Sequence, residues 1–157
     1  MAKYRILTKE ELAELEKEFI DFLILNGIPA DEWEKIKVDS KKAHKMIELF
    51  SDVVFEKVIR EITYIEHYSK RSIKAFKCDK DQIFMVGVDT SDPELDLRTS
   101  KSIKKVQSGA VKELSIYEAS KPYKEAREQE LYKMLEQGCI KSDGALYNSI
   151  LQQLKGQ

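Results

Sequence analysis

Four side chains that can bind a metal follow one another at intervals of four residues: His44, Glu48, Asp52 and Glu56. On a helix this spacing places all four along one flank. Carboxylates and imidazole are usual ligands of zinc, manganese and iron, so the stripe offers half of the site of a metal-dependent enzyme. The other half needs a second element, and His67 is the only other histidine. A charged surface explains the stripe better, so we expect no metal or other cofactor.

A second set of residues has the composition of a nucleic-acid site, in which cations hold phosphates and aromatic rings stack on bases. Its members are Tyr68, Lys70, Arg71, Lys74, Phe76 and Lys77. They predict a small module that binds RNA or another single strand on a hairpin. In the competing interpretation, the lysines are solvated and the aromatic rings fill the core. Lys74 and Phe76 have the same parity along a strand, which favours the binding site.

No catalytic group emerges from the sequence. Glu66 and His67 are an acid and a base side by side, but adjacent strand residues point to opposite faces, so Glu66 is not placed to orient His67. Cys78 would reach His67 only in a particular strand register. Glycine-rich phosphate loops, nucleophile elbows and zinc-protease motifs do not occur in the sequence. We therefore favour a non-catalytic protein.

The acidic stripe belongs to a long helix, predicted from Ser40 to about Ile62, with Asp39 and Ser40 as candidate N-caps. Apolar residues at steps of three and four form its core face. Phe55 and Ile59 project from the opposite side, so they need a second cover, either from this chain or from another subunit. We therefore predict an interface built on Phe55 and Ile59, with Glu48, Asp52 and Glu56 at its rim. The expected partner is the protein itself or another cytoplasmic protein.

The remaining periodicities predict an α+β fold with a helical N-terminal half, a small antiparallel β-meander of three to four strands, and peripheral C-terminal helices. Strands are expected at 62–68, 73–78 and 83–88, with a fourth at 113–118. Residues 89–110 show no clear period, which favours a mobile connection. The C-terminal helices are expected at 123–137 and after the capping pair Ser142 and Asp143.

Length and composition place the chain in the cytoplasm as one domain, 1–157. It has 157 residues, a net charge of −1, and two cysteines without metal-ligand spacing. A pI of about 6.2 gives no general attraction to polyanions. Isolated cysteines fit a reducing compartment. The sequence offers no membrane-spanning run and no signal peptide, so no membrane partner is expected.

Several segments resemble a family of small uncharacterised bacterial cytoplasmic proteins, a domain of unknown function. They are Tyr4 to Leu12, Leu49 to Val58, Glu66-His67 and Ser142-Asp143-Gly144. The resemblance extends over the whole chain and implies a complete, single-domain bacterial protein. It carries over no functional residue, activity or cofactor.

Overall fold

A computed structural model describes residues 3–110 and 114–156 of the chain. Within them the chain forms seven helices and a five-stranded antiparallel sheet, which confirms the α+β class with a helical N-terminal half. The backbone divides into two compact units, Met1–Arg60 and Glu61–Gln157. The single domain expected from chain length stays a prediction. No helix among the described residues is both long enough and apolar enough to cross a membrane.

The described residues of the first unit form four helices: α1 (Lys9–Glu14), α2 (Glu16–Leu25), α3 (Ala30–Ile36) and α4 (Ser40–Arg60). Thr8 and Glu11 form a reciprocal capping box at the start of α1. The helix then breaks at Leu15 (φ −106°, ψ 24°) before α2 begins. The long helix ends within two residues of its predicted end, and the Asp39 carboxylate caps it by accepting from the backbone N–H of Lys41 at 3.1 Å.

The core of the first unit consists of Leu7, Phe19, Leu23 and Phe50. Trp33 packs edge-on against Phe19, with ring centroids 5.1 Å apart and an interplanar angle of 90°. This is a favoured aromatic geometry, so the tryptophan serves as a packing residue.

The segment before α1 is fixed to α4 by a buried hydroxyl group. Ser51 Oγ accepts from the backbone N–H of Leu7 at 2.9 Å and donates to the carbonyl of Ile47 at 2.7 Å. Both bonds are needed because Ser51 is fully buried. A serine on the core side of α4 thus satisfies the backbone of a second segment.

Arg5 and Glu11 form a two-pronged ion pair at 2.7 and 2.9 Å. The hydrogen bond from Arg5, followed by that from the Thr8 backbone, lowers the pKa of Glu11 from 4.5 to about 2. Because the folded pKa is the lower one, this pair stabilises the fold above pH 4.5, and the contribution is lost as the pH falls towards 2. We expect Arg5→Ala to raise the pKa of Glu11 towards 4.5, as measured by carboxyl NMR titration. Lys9→Ala is the control, and an unchanged Glu11 pKa in Arg5→Ala would contradict the assignment.

The second unit is built on a sheet with the strand order β4-β3-β2-β1-β5. The strands are β1 (Tyr64–Tyr68), β2 (Ser72–Cys78), β3 (Gln82–Asp89), β4 (Ser115–Pro122) and β5 (Ile140–Ser142). All pairings are antiparallel. The fifth strand exceeds the predicted three to four. The fourth strand was predicted to begin at Glu113, which lies outside the described residues.

Three helices accompany the sheet: α5 (Ser100–Ser108), α6 (Arg127–Glu136) and α7 (Ala145–Lys155). The region 89–110 therefore contains a helix where a mobile connection was predicted. Thr99 caps the start of α5 by accepting from the backbone of Ser102, and Gly109 ends the helix with φ 73°. Val106 anchors it in the core.

The two faces of the sheet differ in what they carry. On one face Ile73, Ala75, Val86 and Val88 form a core with residues of α5 and α7, including Leu146 and Ile150. On the other face Ile65, Cys78 and Ile83 are buried. Five further side chains of that parity define what we call the open face: Lys74, Phe76, Met85, Tyr117 and Ala119. Lys74 and Ala119 are exposed, while the other three are half-buried.

Candidate functional site

The acidic stripe of α4 holds the N-terminal segment of the same unit. Asp52 accepts from the backbone N–H groups of Lys3 and Tyr4, at 3.0 and 3.1 Å. Glu56 accepts from the Tyr4 hydroxyl and lies 3.4 Å from Arg60. Charge-assisted bonds of this kind are about twice as strong as neutral ones. These carboxylates therefore have a structural use that spacing alone did not reveal.

The N-terminal end of the stripe, at His44, is exposed to solvent. His44 Nε2 lies 3.6 Å from Glu48 Oε2, and the His44 side chain is 65% exposed. In the described ranges, 3–110 and 114–156, His, Cys, Asp and Glu side chains nowhere gather in a group of three that could hold a metal. The second half of the metal site considered from the sequence is thus missing from these ranges.

Phe55 and Ile59, the residues of the predicted interface, are covered in the single chain. Tyr4 packs on Phe55 with ring centroids 5.9 Å apart, and the Arg5 guanidinium lies 4.8 Å from the centre of the Phe55 ring. Ile59 is fully buried. An interface at these two residues stays a prediction. In this conformation, however, neither Phe55 nor Ile59 needs a second subunit to cover it.

The basic and aromatic residues of the hairpin divide between the two faces of the sheet. Lys74 and Phe76 share the open face, as their parity predicts. Tyr68 has the other parity and packs against the core, where Lys77 lies on the same face. Lys70 and Arg71 precede β2 in the connecting turn. The hairpin therefore brings together only part of the predicted nucleic-acid site.

The residues that complete the open face come from strands β3 and β4. Met85 lies between Phe76 and Ala119 in the register, and Gly87 lies between Lys74 and Tyr117. The Tyr117 ring occupies the space where a Cβ on Gly87 would stand. Its hydroxyl donates to Asp89 Oδ1 at 3.2 Å, and burial raises the pKa of Tyr117. The sequence feature that could have indicated this close approach is a glycine inside a strand, which often marks a place where another group packs on the backbone.

Two adjoining cavities lie next to the open face, around Ile83 and Lys121. The first, about 180 Å³, is lined by Phe76, Ile83, Met85, Ala119, Ser120 and Lys121. The second, about 240 Å³, lies beside α6 and is lined by Ile83, Lys121, Lys124, Glu125, Glu130, Lys133 and Met134. They share Ile83 and Lys121, so an apolar recess continues into a lysine-rich one.

The acid–base pair considered from the sequence is separated by the sheet. Glu66 is buried and accepts from the hydroxyl groups of Tyr68 and Ser142. Burial makes the largest contribution to raising the pKa of Tyr68, and the hydrogen bond to Glu66 and the negative charge of Glu66 raise it further. The strand register does not pair His67 with Cys78. His67 lies opposite Lys74, and the backbone N–H of Cys78 donates to the carbonyl of Thr63. Burial raises the pKa of Cys78 to about 12, which disfavours a nucleophilic thiolate.

The segments that carry the family resemblance contact one another in pairs. In the first unit, Tyr4 bonds to Glu56 of the Leu49 to Val58 segment. In the second, Glu66 bonds to Ser142, and Asp143 accepts from the backbone N–H of Ala145 at 2.9 Å. The Tyr4–Glu56 and Glu66–Ser142 bonds tie distant parts of each unit together, whereas the Asp143 bond is local.

A family model described as "Family of unknown function (DUF6495)" matches residues 1–155. Comparison with curated proteins and with solved structures finds no match in either.

Proposed function

Because the chain belongs to DUF6495, a family of unknown function, we propose a role from its own surface: a non-catalytic protein that associates with a second copy of itself through helix α4. The bacterial origin and cytoplasmic location expected from the sequence are part of this proposal. The contact surface differs from the predicted one, since Leu49 lies about a third of a turn and Val53 nearly half a turn round the helix from Phe55.

The exposure of Leu49 and Val53 supports this proposal most directly. They are 45% and 52% exposed and stand one turn apart on α4. Among the described residues, six of the seven large apolar side chains that are exposed belong to the helical unit. Contiguous apolar patches larger than a few hundred Å² are rare on soluble monomers, and they mark protein–protein contacts.

The size of this patch also sets the expected strength. Two half-exposed side chains from each copy form an apolar core that is small compared with a standard interface, which buries roughly 1,600 Å². We therefore expect a weak dimer that depends on protein concentration, with Glu56 and Arg60 in its polar rim.

Sedimentation velocity of the untagged full chain over a range of concentrations tests the proposal. We expect a concentration-dependent dimer for the native sequence and a monomer for Leu49→Glu/Val53→Glu, because a buried unpaired carboxylate opposes association. Val58→Glu is the matched control, since Val58 is 47% exposed and lies half a turn round the helix from Leu49. Circular dichroism of each variant reports whether α4 is intact.

Two results would overturn this assignment. One is a native protein that remains monomeric at the highest concentration reached. The other is a Val58→Glu variant that dissociates as fully as the double variant, since that would show a general charge effect.

A further inference from the structure

We propose that the open face and the two cavities beside it bind a single strand of nucleic acid, with bases on Phe76 and Tyr117 and phosphates on Lys74, Lys121 and Lys124. This site lies within the second unit, so it is independent of the association proposed for α4. It differs from the hairpin site predicted from the sequence, since it keeps Lys74 and Phe76 but leaves out Tyr68, Lys70, Arg71 and Lys77.

The apolar half of the site offers surface for bases. Phe76 and Met85 are direct cross-strand neighbours, and the Tyr117 ring lies over Gly87 in the adjoining row. Each of these side chains is only half-buried. The 180 Å³ recess is smaller than the 300–1,000 Å³ of drug-sized pockets, and it suits a single flat ring. Aromatic platforms of this kind stack bases of any sequence.

The cationic half offers ammonium groups that other side chains leave available. In the second cavity Lys133 is already paired with Glu125 at 2.7 Å, and Glu130 accepts from the Lys124 backbone at 2.9 Å. Lys121 and Lys124, by contrast, form no ion pair with any residue in the described parts of the chain. Both are exposed, so an anion can reach them.

The order of these groups along the strands matches a repeating polyanion. Lys74 lies in one cross-strand row, Phe76 in the next, and Lys121 in the row beyond, opposite Ile83. Rows of the same parity are two residues apart, so the two lysines stand about 13 Å apart along the strands, with Phe76 in the row between them and Tyr117 in the row of Lys74. A single nucleic-acid strand repeats phosphates along its backbone and carries a base on each sugar, so it offers several charges with flat rings beside them, whereas a fatty acid has one charged end.

Fluorescence anisotropy with labelled RNA and DNA 12-mers of mixed sequence tests the site. With three phosphate contacts, log K should fall with log salt at a slope of about −2 for a single strand, or about 18-fold weaker binding for a fourfold rise in salt. Lys121→Gln/Lys124→Gln should reduce the slope to about −0.7. RNA and DNA are measured separately, so the sugar preference is read directly.

Two further variants separate stacking from simple charge. Phe76→Leu keeps an apolar side chain but removes the ring, and we expect at least about fivefold weaker binding. Lys101→Gln/Lys104→Gln makes the same charge change as the lysine pair but on α5, and binding should be unchanged. Circular dichroism and thermal melts confirm that each variant folds.

The proposal is overturned by any of three results. The first is no anisotropy change at low salt, and the second is equal weakening by the α5 lysine pair. The third is an unaffected Phe76→Leu variant together with full competition by heparin, which has charge but no bases. A self-associating protein that binds no oligonucleotide would leave the α4 proposal intact and remove this one.

Discussion

Replacing Gly144 with alanine is expected to lower the free energy of unfolding by about 3 kcal/mol, through backbone strain and overpacking together. Gly144 has φ 89°, a conformation that costs an L-residue about 1–2 kcal/mol. A Cβ there would also lie 2.5 Å from the Tyr64 ring. That ring packs against Tyr147 with centroids 5.7 Å apart, so it has little freedom to move away.

Urea denaturation of the full chain measures this loss, and Gly27→Ala supplies the matched control. Gly27 has a similar φ of 78°, but nothing lies within 4 Å of a Cβ built on it. Its substitution should cost only the backbone strain, about 1 kcal/mol. Equal losses in the two variants would show that Tyr64 yields freely and that the packing argument is wrong.

Arg127→Ala is expected to lower the free energy of unfolding by about 3–4 kcal/mol, since it leaves several carbonyl groups without their charged donor. The Arg127 side chain is 14% exposed. Its guanidinium donates to the carbonyls of Ile62, Cys78 (3.1 Å) and Asp79 (3.2 Å). These carbonyls lie just before β1 and at the end of β2, so one side chain closes this end of the hairpin.

Arg127→Lys should recover part of the loss, because an ammonium keeps the charge but lacks the planar fork of donors. Lys133→Ala, on the same helix, is the control for removing a cation. Its side chain is 60% exposed, so its pair with Glu125 should contribute less than about 1 kcal/mol. Comparable unfolding midpoints for Arg127→Ala and Lys133→Ala would contradict the structural role of Arg127.

Periodicity predicted the parts of the fold in which local pattern and burial agree. Helix α4 has a continuous apolar stripe, and β2 and β3 have branched and aromatic residues between clear turns. Strand β5 has only three residues, too few to show a period, and it exists because it pairs with β1 across a long separation. Helix α5 is mostly polar, and Val106 supplies its one fully buried apolar anchor, so its caps were the only strong local signals.

The candidate site was predictable in the same partial way. Parity placed Lys74 and Phe76 together, because that argument needs one strand only. Tyr117, Ala119 and Lys121 join them through the pairing of β4 with β3, which a connection of more than twenty residues separates. Likewise, no spacing rule shows that Asp52 bonds to the backbone of Lys3 and Tyr4, since that contact depends on the path of the N-terminal segment.

The edge-on packing of Trp33 against Phe19 gives the chain a built-in optical reporter. Trp33 is the only tryptophan, and it belongs to the first unit, while six of the seven tyrosines belong to the second. Tryptophan emission therefore follows the unfolding of the first unit, and the near-ultraviolet dichroism of tyrosine mainly follows the unfolding of the second unit. Coincident transitions would establish one cooperative unit, as the single-domain prediction requires, whereas separate transitions would give each unit its own stability.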